Sequence, residues 1–324
     1  MLDLALFDRI RLSNRPPVQR FIAEAFLRFD YRNVRIDVEG LARLPSHPVL
    51  LAMNHTDNFN YWPLQYSLHC AQRRYTATWV KGKNFEHPLV STFMRITNNI
   101  PIASRGYLIT RDFVGTMGRR PSEDEYRALR DAVNTGAELD RERVPRELLE
   151  RPRDMMGRPF APSRESYVEA MDALFTEMMR RFIALNAHAL RIGLDLLVFP
   201  QGTRSIRLSR GHIGVAQAAL ALGATIVPVG CNGSDLVYPG RSLVSKPGHI
   251  VYRLGEPLTP ADVADLAPKE PFVPFSREAE TRHRARFQAL TDRIMERIDG
   301  LLDERHRFTD DRASDGTRGT DRFV

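Results

Sequence analysis

Short apolar runs, each a few residues long, alternate along this chain with longer stretches in which apolar residues recur at helical spacing. "VRIDVEG" (34–40) alternates apolar and polar positions, as a half-buried strand does, and Gly40 ends it. "HPVLLAM" (47–53) is an uninterrupted apolar run, the pattern of a strand buried on both faces. Further strand patterns are "YTATWVKGK" (75–83), "IPIASRG" (100–106), "LDLLVFPQGTRS" (194–205), "ATIVPVGCNG" (224–233) and "GHIVYRLGEPL" (248–258). Between them lie helical patterns. "PPVQRFIAEAFLRFDYR" (16–32) opens on proline and spaces Val18, Phe21, Ile22, Ala25, Phe26 and Phe29 along one side. Others are "YWPLQYSLHCAQRR" (61–74), "HPLVSTFMRITNN" (87–99), "HIGVAQAALALG" (212–223), the long "RESYVEAMDALFTEMMRRFIALNAHALRIG" (164–193) and the charged 276–306.

Strands alternating with helices predict an α/β fold: a mostly parallel central sheet covered by helices on both faces. The pattern weakens from 114 to 166, where charged pieces are broken by proline and glycine, and predicts a helical insertion of turns and loops. One α/β domain is expected over 1–305, with a disordered tail over 306–324 that lacks apolar periodicity. The aromatic face of 16–32 admits two readings, packing on the core or resting on a bilayer.

Three polar loops follow buried strand patterns: the His55 loop, the Arg105 loop and "PQGTRS". Ligand sites of open α/β sheets gather at the carboxyl ends of strands, so the three can converge. His55 is the one histidine on such a loop, in "NHTDNFNYWP" (54–63), with Asp57 and Asn60 as neighbours. Asp57 could steady a charge on His55, cap the following helix or hydrogen-bond the loop backbone. "PQGTRS" offers Gly202 for close backbone approach, the Thr203 hydroxyl and the planar Arg204 guanidinium, a set that can hold a phosphate. The same loop can also be a plain turn with a surface arginine.

Composition narrows the classes. The 324 residues are 43% hydrophobic and 27% charged, which suits a large folded core rather than a disordered chain. Lys+Arg number 47 against Asp+Glu 40, a net charge of +7. The basic residues are scattered, and no nucleic-acid module is recognisable, so nucleic acid is not an expected partner. Two cysteines make neither a disulfide framework nor a zinc cluster, and a reducing, cytoplasmic setting is expected. The first residues carry acids within their short apolar run and do not read as a signal peptide, and no apolar window is long enough to span a bilayer. Histidines and acids do not recur at metal-ligand spacings, and neither a G-x-S-x-G elbow nor a G-x-G-x-x-G turn is present.

In order along the chain, "NHTDNFNYWP", "IPIASRG", "FPQGTRS" and "IVPVG" resemble the blocks of the glycerol-phosphate and lysophosphatidate acyltransferase family. The resemblance covers roughly 34–110 and 190–260. It implies acyl transfer from acyl-CoA or acyl carrier protein to a hydroxyl of a phosphorylated glycerolipid acceptor, at the cytoplasmic surface of a membrane. No cofactor or metal is implied, because the thioester is already activated. By position, His55 would be the general base, and Arg105, Gln201, Gly202, Thr203 and Arg204 would hold the acceptor. Val227, Pro228 and Val229 would line or support the donor side.

Two departures stand out. The family's aspartate falls at Asn60, and the glutamate of its F-P-E-G block falls at Gln201. Asparagine can orient a histidine but cannot supply the negative charge that stabilises an imidazolium. In a serine-protease triad the same change costs about 10⁴ in rate. Either another carboxylate, Asp57 first, compensates for Asn60, or the chain is slow, or it is a lipid or acyl-thioester binding protein.

Overall fold

The computed structural model describes residues 2–240 and 242–308, and the expected disordered tail lies almost wholly outside them. In chain order, α1 (Leu4–Arg9) and a helical stretch precede the sheet. That stretch is α2 (Pro17–Phe21), a π-helical segment (Ile22–Leu27) and α3 (Arg28–Asp30). Then come β1 (Val34–Glu39), β2 (Leu50–Met53), α4 (Trp62–Gln72), β3 (Thr76–Lys81), α5 (Pro88–Ile96), β4 (Asn99–Ile102) and α6 (Arg105–Met117). The segment between 114 and 166 holds the end of α6, α7 (Glu123–Thr135), α8 (Arg146–Glu150) and a hairpin of β5 (Arg153–Met155) and β6 (Arg158–Phe160). The last part contains α9 (Tyr167–Arg191), β7 (Asp195–Val198), α10 (Gly214–Leu222), β8 (Ile226–Asn232), α11 (Ser234–Val237), β9 (Gly248–Leu254) and α12 (Arg277–Asp299).

Seven strands form one sheet in the order β1-β9-β8-β2-β7-β3-β4. The five strands β8, β2, β7, β3 and β4 are mutually parallel, while β9 pairs antiparallel with β8 and parallel with β1. The fold is therefore the expected α/β architecture with a mostly parallel sheet. The hairpin is an addition to what the sequence predicted for the 114–166 stretch. Its strands are three residues each, too short for alternation to register, and its turn places Met156 and Gly157 at positive φ.

Alternate residues of the central strands feed two cores. Leu50, Ala52, Leu196 and Val198 pack on the side of α9, α10 and α12. Leu51, Met53, Leu197, Val227 and Val229 pack on the side of α4 and the N-terminal helical stretch. Both faces of β2 and β7 are thus dry, which is why their sequences read as unbroken apolar runs. From β2 the chain moves outward to β3 and β4, then returns to place β7 between β2 and β3 and β8 on the other side of β2. That reversal opens a crevice at the carboxyl ends of β2, β7 and β3, where the His55 loop, the Gln201 loop and Lys81 emerge.

Candidate active site

The His55 loop is fastened before it does anything else. The Asn54 side chain bonds both ways to the backbone of Cys231 in β8, donating to its carbonyl at 2.9 Å and accepting from its N–H at 2.7 Å. The backbone of His55 is clamped by the loop after β7: its N–H donates to Gln201 Oε1 at 2.9 Å, and its carbonyl accepts from Ser205 N–H at 2.9 Å. The imidazole then lies flat on the Phe199 ring, centroids 3.9 Å apart.

Hydrogen bonding assigns the tautomer. Asn60 is fully buried. Its Nδ2 donates to the Asn54 carbonyl at 2.8 Å, so the Oδ1 is the atom left facing His55 Nδ1 at 3.2 Å. An amide oxygen only accepts, so Nδ1 carries the proton and Nε2 keeps its lone pair. Burial pushes the imidazole down to about 3, the Asn60 bond partly opposes this, and the positive charges of Arg204 and Lys81 push further down. His55 is neutral at physiological pH with Nε2 as an acceptor.

Asp57 does not steady that imidazole. Its Oδ1 accepts from Phe59 N–H at 2.8 Å and its Oδ2 from the Thr56 hydroxyl at 2.9 Å. Burial raises its carboxyl above the usual range, against those bonds. The N-cap position of α4 belongs to Tyr61, without a side-chain cap. Of the roles open to Asp57, the structure shows bonding to the loop backbone.

Gln201 is also fully buried and works as a brace. Its oxygen takes the His55 N–H, and its Nε2 donates to Ser209 Oγ at 3.2 Å. A glutamate would place a charge there, against a hydroxyl. Gly202 has φ +67°, and a Cβ on it would sit 2.9 Å from the His212 ring, so both conformation and space require glycine. Thr203 is half-buried beside it, and Arg204 is exposed with its guanidinium on Asn58 Oδ1. Lys81, exposed at the end of β3, is the cation that sequence reasoning missed. A lysine closing a strand pattern carries no signal until β3 is known to lie beside β7.

Arg105 is placed differently. It opens α6 behind the cap Ser104 and is buried. It donates to Glu280 at 2.8 Å and to the Phe275 carbonyl at 3.0 Å, and stacks over Phe175 at 4.3 Å. These partners belong to α9, to α12 and to the turn before α12, not to the His55 or Gly202 loops. Val227, Pro228 and Val229 are buried within β8 and support the sheet.

Two further features adjoin the crevice. A groove partly open to solvent runs between the N-terminal helical stretch, α4 and α5. It follows one side of α4 from Tyr61 and Trp62 through Tyr66 to His69, with Ile22, Leu27 and Phe93 opposite. Tyr61 meets Phe199, the ring under His55, with centroids 6.1 Å apart. The second feature is a strap formed by 303–308. His306 donates from Nδ1 to the Ile206 carbonyl at 2.9 Å, and its own carbonyl accepts from Leu208 N–H at 2.8 Å. Its Nε2 lies 3.5 Å from Asp235. The strap thereby holds the loop that carries Arg204.

Residues 35–134 match the family model described as Acyltransferase. That stretch is about a third of the chain. The matched stretch contains His55, Asn60, Lys81 and Arg105, while the Gln201–Ser205 loop lies outside it. Among solved structures, the chain is similar to the 1-acyl-sn-glycerophosphate (LPA) acyltransferase PlsC from Thermotoga maritima. The two are 15% identical, the likeness covers 90% of this chain and 86% of that one, and the TM-score is 0.41, a level from which no site geometry is carried over. A comparison with curated proteins finds no match.

Proposed function

We propose that the chain moves a fatty acyl group from acyl-CoA or acyl carrier protein to a hydroxyl of a glycerol-phosphate or lysophospholipid-type acceptor, with His55 as general base. The observation that carries this reading is the neutral imidazole whose Nδ1 is spent on Asn60 and whose Nε2 is an acceptor at the mouth of the crevice. Nε2 takes the proton of the acceptor hydroxyl as its oxygen bonds to the thioester carbonyl carbon. The C–S bond then breaks, and the imidazolium returns the proton to the leaving thiolate. Atoms and charges balance without a cofactor.

Arg204 and Lys81, with the Gly202–Thr203 backbone, hold the acceptor's phosphate in this reading. Arg105, tied to Glu280, braces the α6 end of the crevice from behind. The groove beside α4 takes the donor's acyl chain, since it is largely apolar and reaches the ring on which His55 rests.

A lysophospholipid acceptor and the acylated product of such a reaction sit in a bilayer, and exposed apolar residues support contact with one. Phe21 (69% exposed), Phe29 (66%) and Leu89 (76%) project from the helices that border the groove. Among the described residues no helix is long and apolar enough to cross a membrane. Contact would be peripheral, with Arg15, Arg20, Arg28 and Arg32 flanking the aromatic face toward anionic head groups. The test is release of free thiol from a long-chain acyl-CoA or acyl carrier protein in the presence of glycerol 3-phosphate, lysophosphatidate, or neither. Acceptor-dependent release supports the reading. Tight binding of donor and acceptor without release supports a binding protein instead.

A further inference from the structure

A general base of this kind needs negative charge nearby when its imidazole takes on a proton, and among the described residues no carboxylate contacts the ring. Asn60 is not a carboxylate with one atom exchanged. Its Nδ2 donates to the Asn54 carbonyl at 2.8 Å, so a carboxylate there would set two acceptor oxygens against each other in a fully buried position. Asp57 is committed to Phe59 N–H and the Thr56 hydroxyl, and the brace at 201 is an uncharged amide. Two cations emerge beside the ring from other elements: Arg204 precedes Ser205, whose N–H donates to the His55 carbonyl at 2.9 Å, and Lys81 ends β3, the strand paired with β7. Both oppose a positive charge on the imidazole. The remaining acids near the loop are Asp57 itself and Asp235 in α11, whose partners are Arg305 and His306. The protein's own charges at the crevice therefore oppose the charge that catalysis must create.

We propose that the acceptor's own phosphate is the missing counter-charge: seated between Arg204 and Lys81, it reverses the local field and makes His55 an effective base only when a phosphorylated acceptor is bound. This deepens the reading above and rests on it. The acceptor class then follows from chemistry as well as fit. An acceptor without phosphate leaves two cations facing the ring, so it loses kcat and not only affinity. An opposite charge within about 4–6 Å moves a titration by about 1 to 3 pH units, and the shift for His55 is upward.

The experiment is histidine-ring NMR on the full chain, with and without saturating glycerol 3-phosphate, and with glycerol as the uncharged control. In the free protein the His55 ring stays neutral down to pH 5. Glycerol 3-phosphate raises its titration midpoint by at least about 1 pH unit, and glycerol does not. In an Arg204→Gln, Lys81→Met double variant with unchanged circular dichroism, the phosphate effect is absent. An identical midpoint with and without the phosphate overturns the proposal, as does a ring already charged at pH 6 in the free protein. A marked rise in turnover for Asn60→Asp also overturns it, because a carboxylate would then be the charge the site lacks. The NMR readout needs no turnover. A phosphate-dependent shift in a protein that never releases thiol leaves the coupling intact and removes the enzymatic reading. Equal kcat for phosphorylated and non-phosphorylated acceptors does the reverse.

Discussion

Asp57 is the residue on which sequence and structure part most clearly. In the sequence it is the one carboxylate within reach of His55, and nothing in the spacing says which way it faces. In the structure it closes a turn onto Phe59 N–H and is buried, with its carboxyl raised by desolvation. A carboxyl raised on folding binds a proton more tightly in the folded state than in the unfolded one, whose value is near 3.9. Its ionised form therefore lowers stability as pH rises from about 4 through the raised folded value. Asp57→Asn is expected to flatten that part of the pH-dependence of the urea midpoint and to keep kcat within about threefold. A loss of about 10³ in kcat, roughly 4 kcal/mol, would return Asp57 to the role of counter-charge. The position of His55 just past a buried strand was legible, while its role as base came only with the family resemblance and stands as a proposal. The Asn60 exchange was legible only through the family resemblance. The brace at Gln201 was not, since a glutamine in a P-Q-G-T-R turn looks solvent-facing until Ser209 and the His55 N–H are seen around it.

At the scale of elements, the seven strands of the main sheet were readable because each is either an apolar run or an alternation, and the sheet buries what those patterns say. The helix at 16–32 was readable too, but its π-helical middle was not, since periodicity does not distinguish a locally widened turn. The strap at 303–308 left no trace in the sequence. Its grip is a backbone bond at Leu208 and one histidine side chain, and neither produces a pattern. Because the strap holds the loop bearing Arg204, His306→Ala is expected to act on acceptor binding. The lost buried hydrogen bond corresponds to about 1–3 kcal/mol. Acceptor KM should rise about tenfold or more with kcat changed less than threefold, and amide exchange at Leu208 should speed up. Faster exchange with an unchanged KM would show that the strap is structural only.

For the whole molecule, the aromatic run at 16–32 left core and bilayer open as alternatives; the structure buries Ala23 and Leu27 in the core and leaves Phe21 and Phe29 exposed. Leu236 in α11 and Leu243 and Val244 beyond it are also exposed. Ser245 ties the chain there to Asp30 through Oγ at 2.9 Å. That bond joins segments more than two hundred residues apart and could not be read from either alone. Phe21→Ser with Phe29→Ser is expected to weaken sedimentation with anionic phospholipid vesicles by about tenfold or more. Turnover on a water-soluble short-chain donor should be unaffected. Unchanged vesicle binding would mean that the face serves another partner. The measurement that tests the central claim most directly is single-turnover thiol release from a long-chain acyl-CoA with lysophosphatidate, comparing the wild-type chain with a folded His55→Ala variant. Release should fall by about 10² to 10⁴ in the variant. Equal rates would contradict the account, for the imidazole would then not be the base.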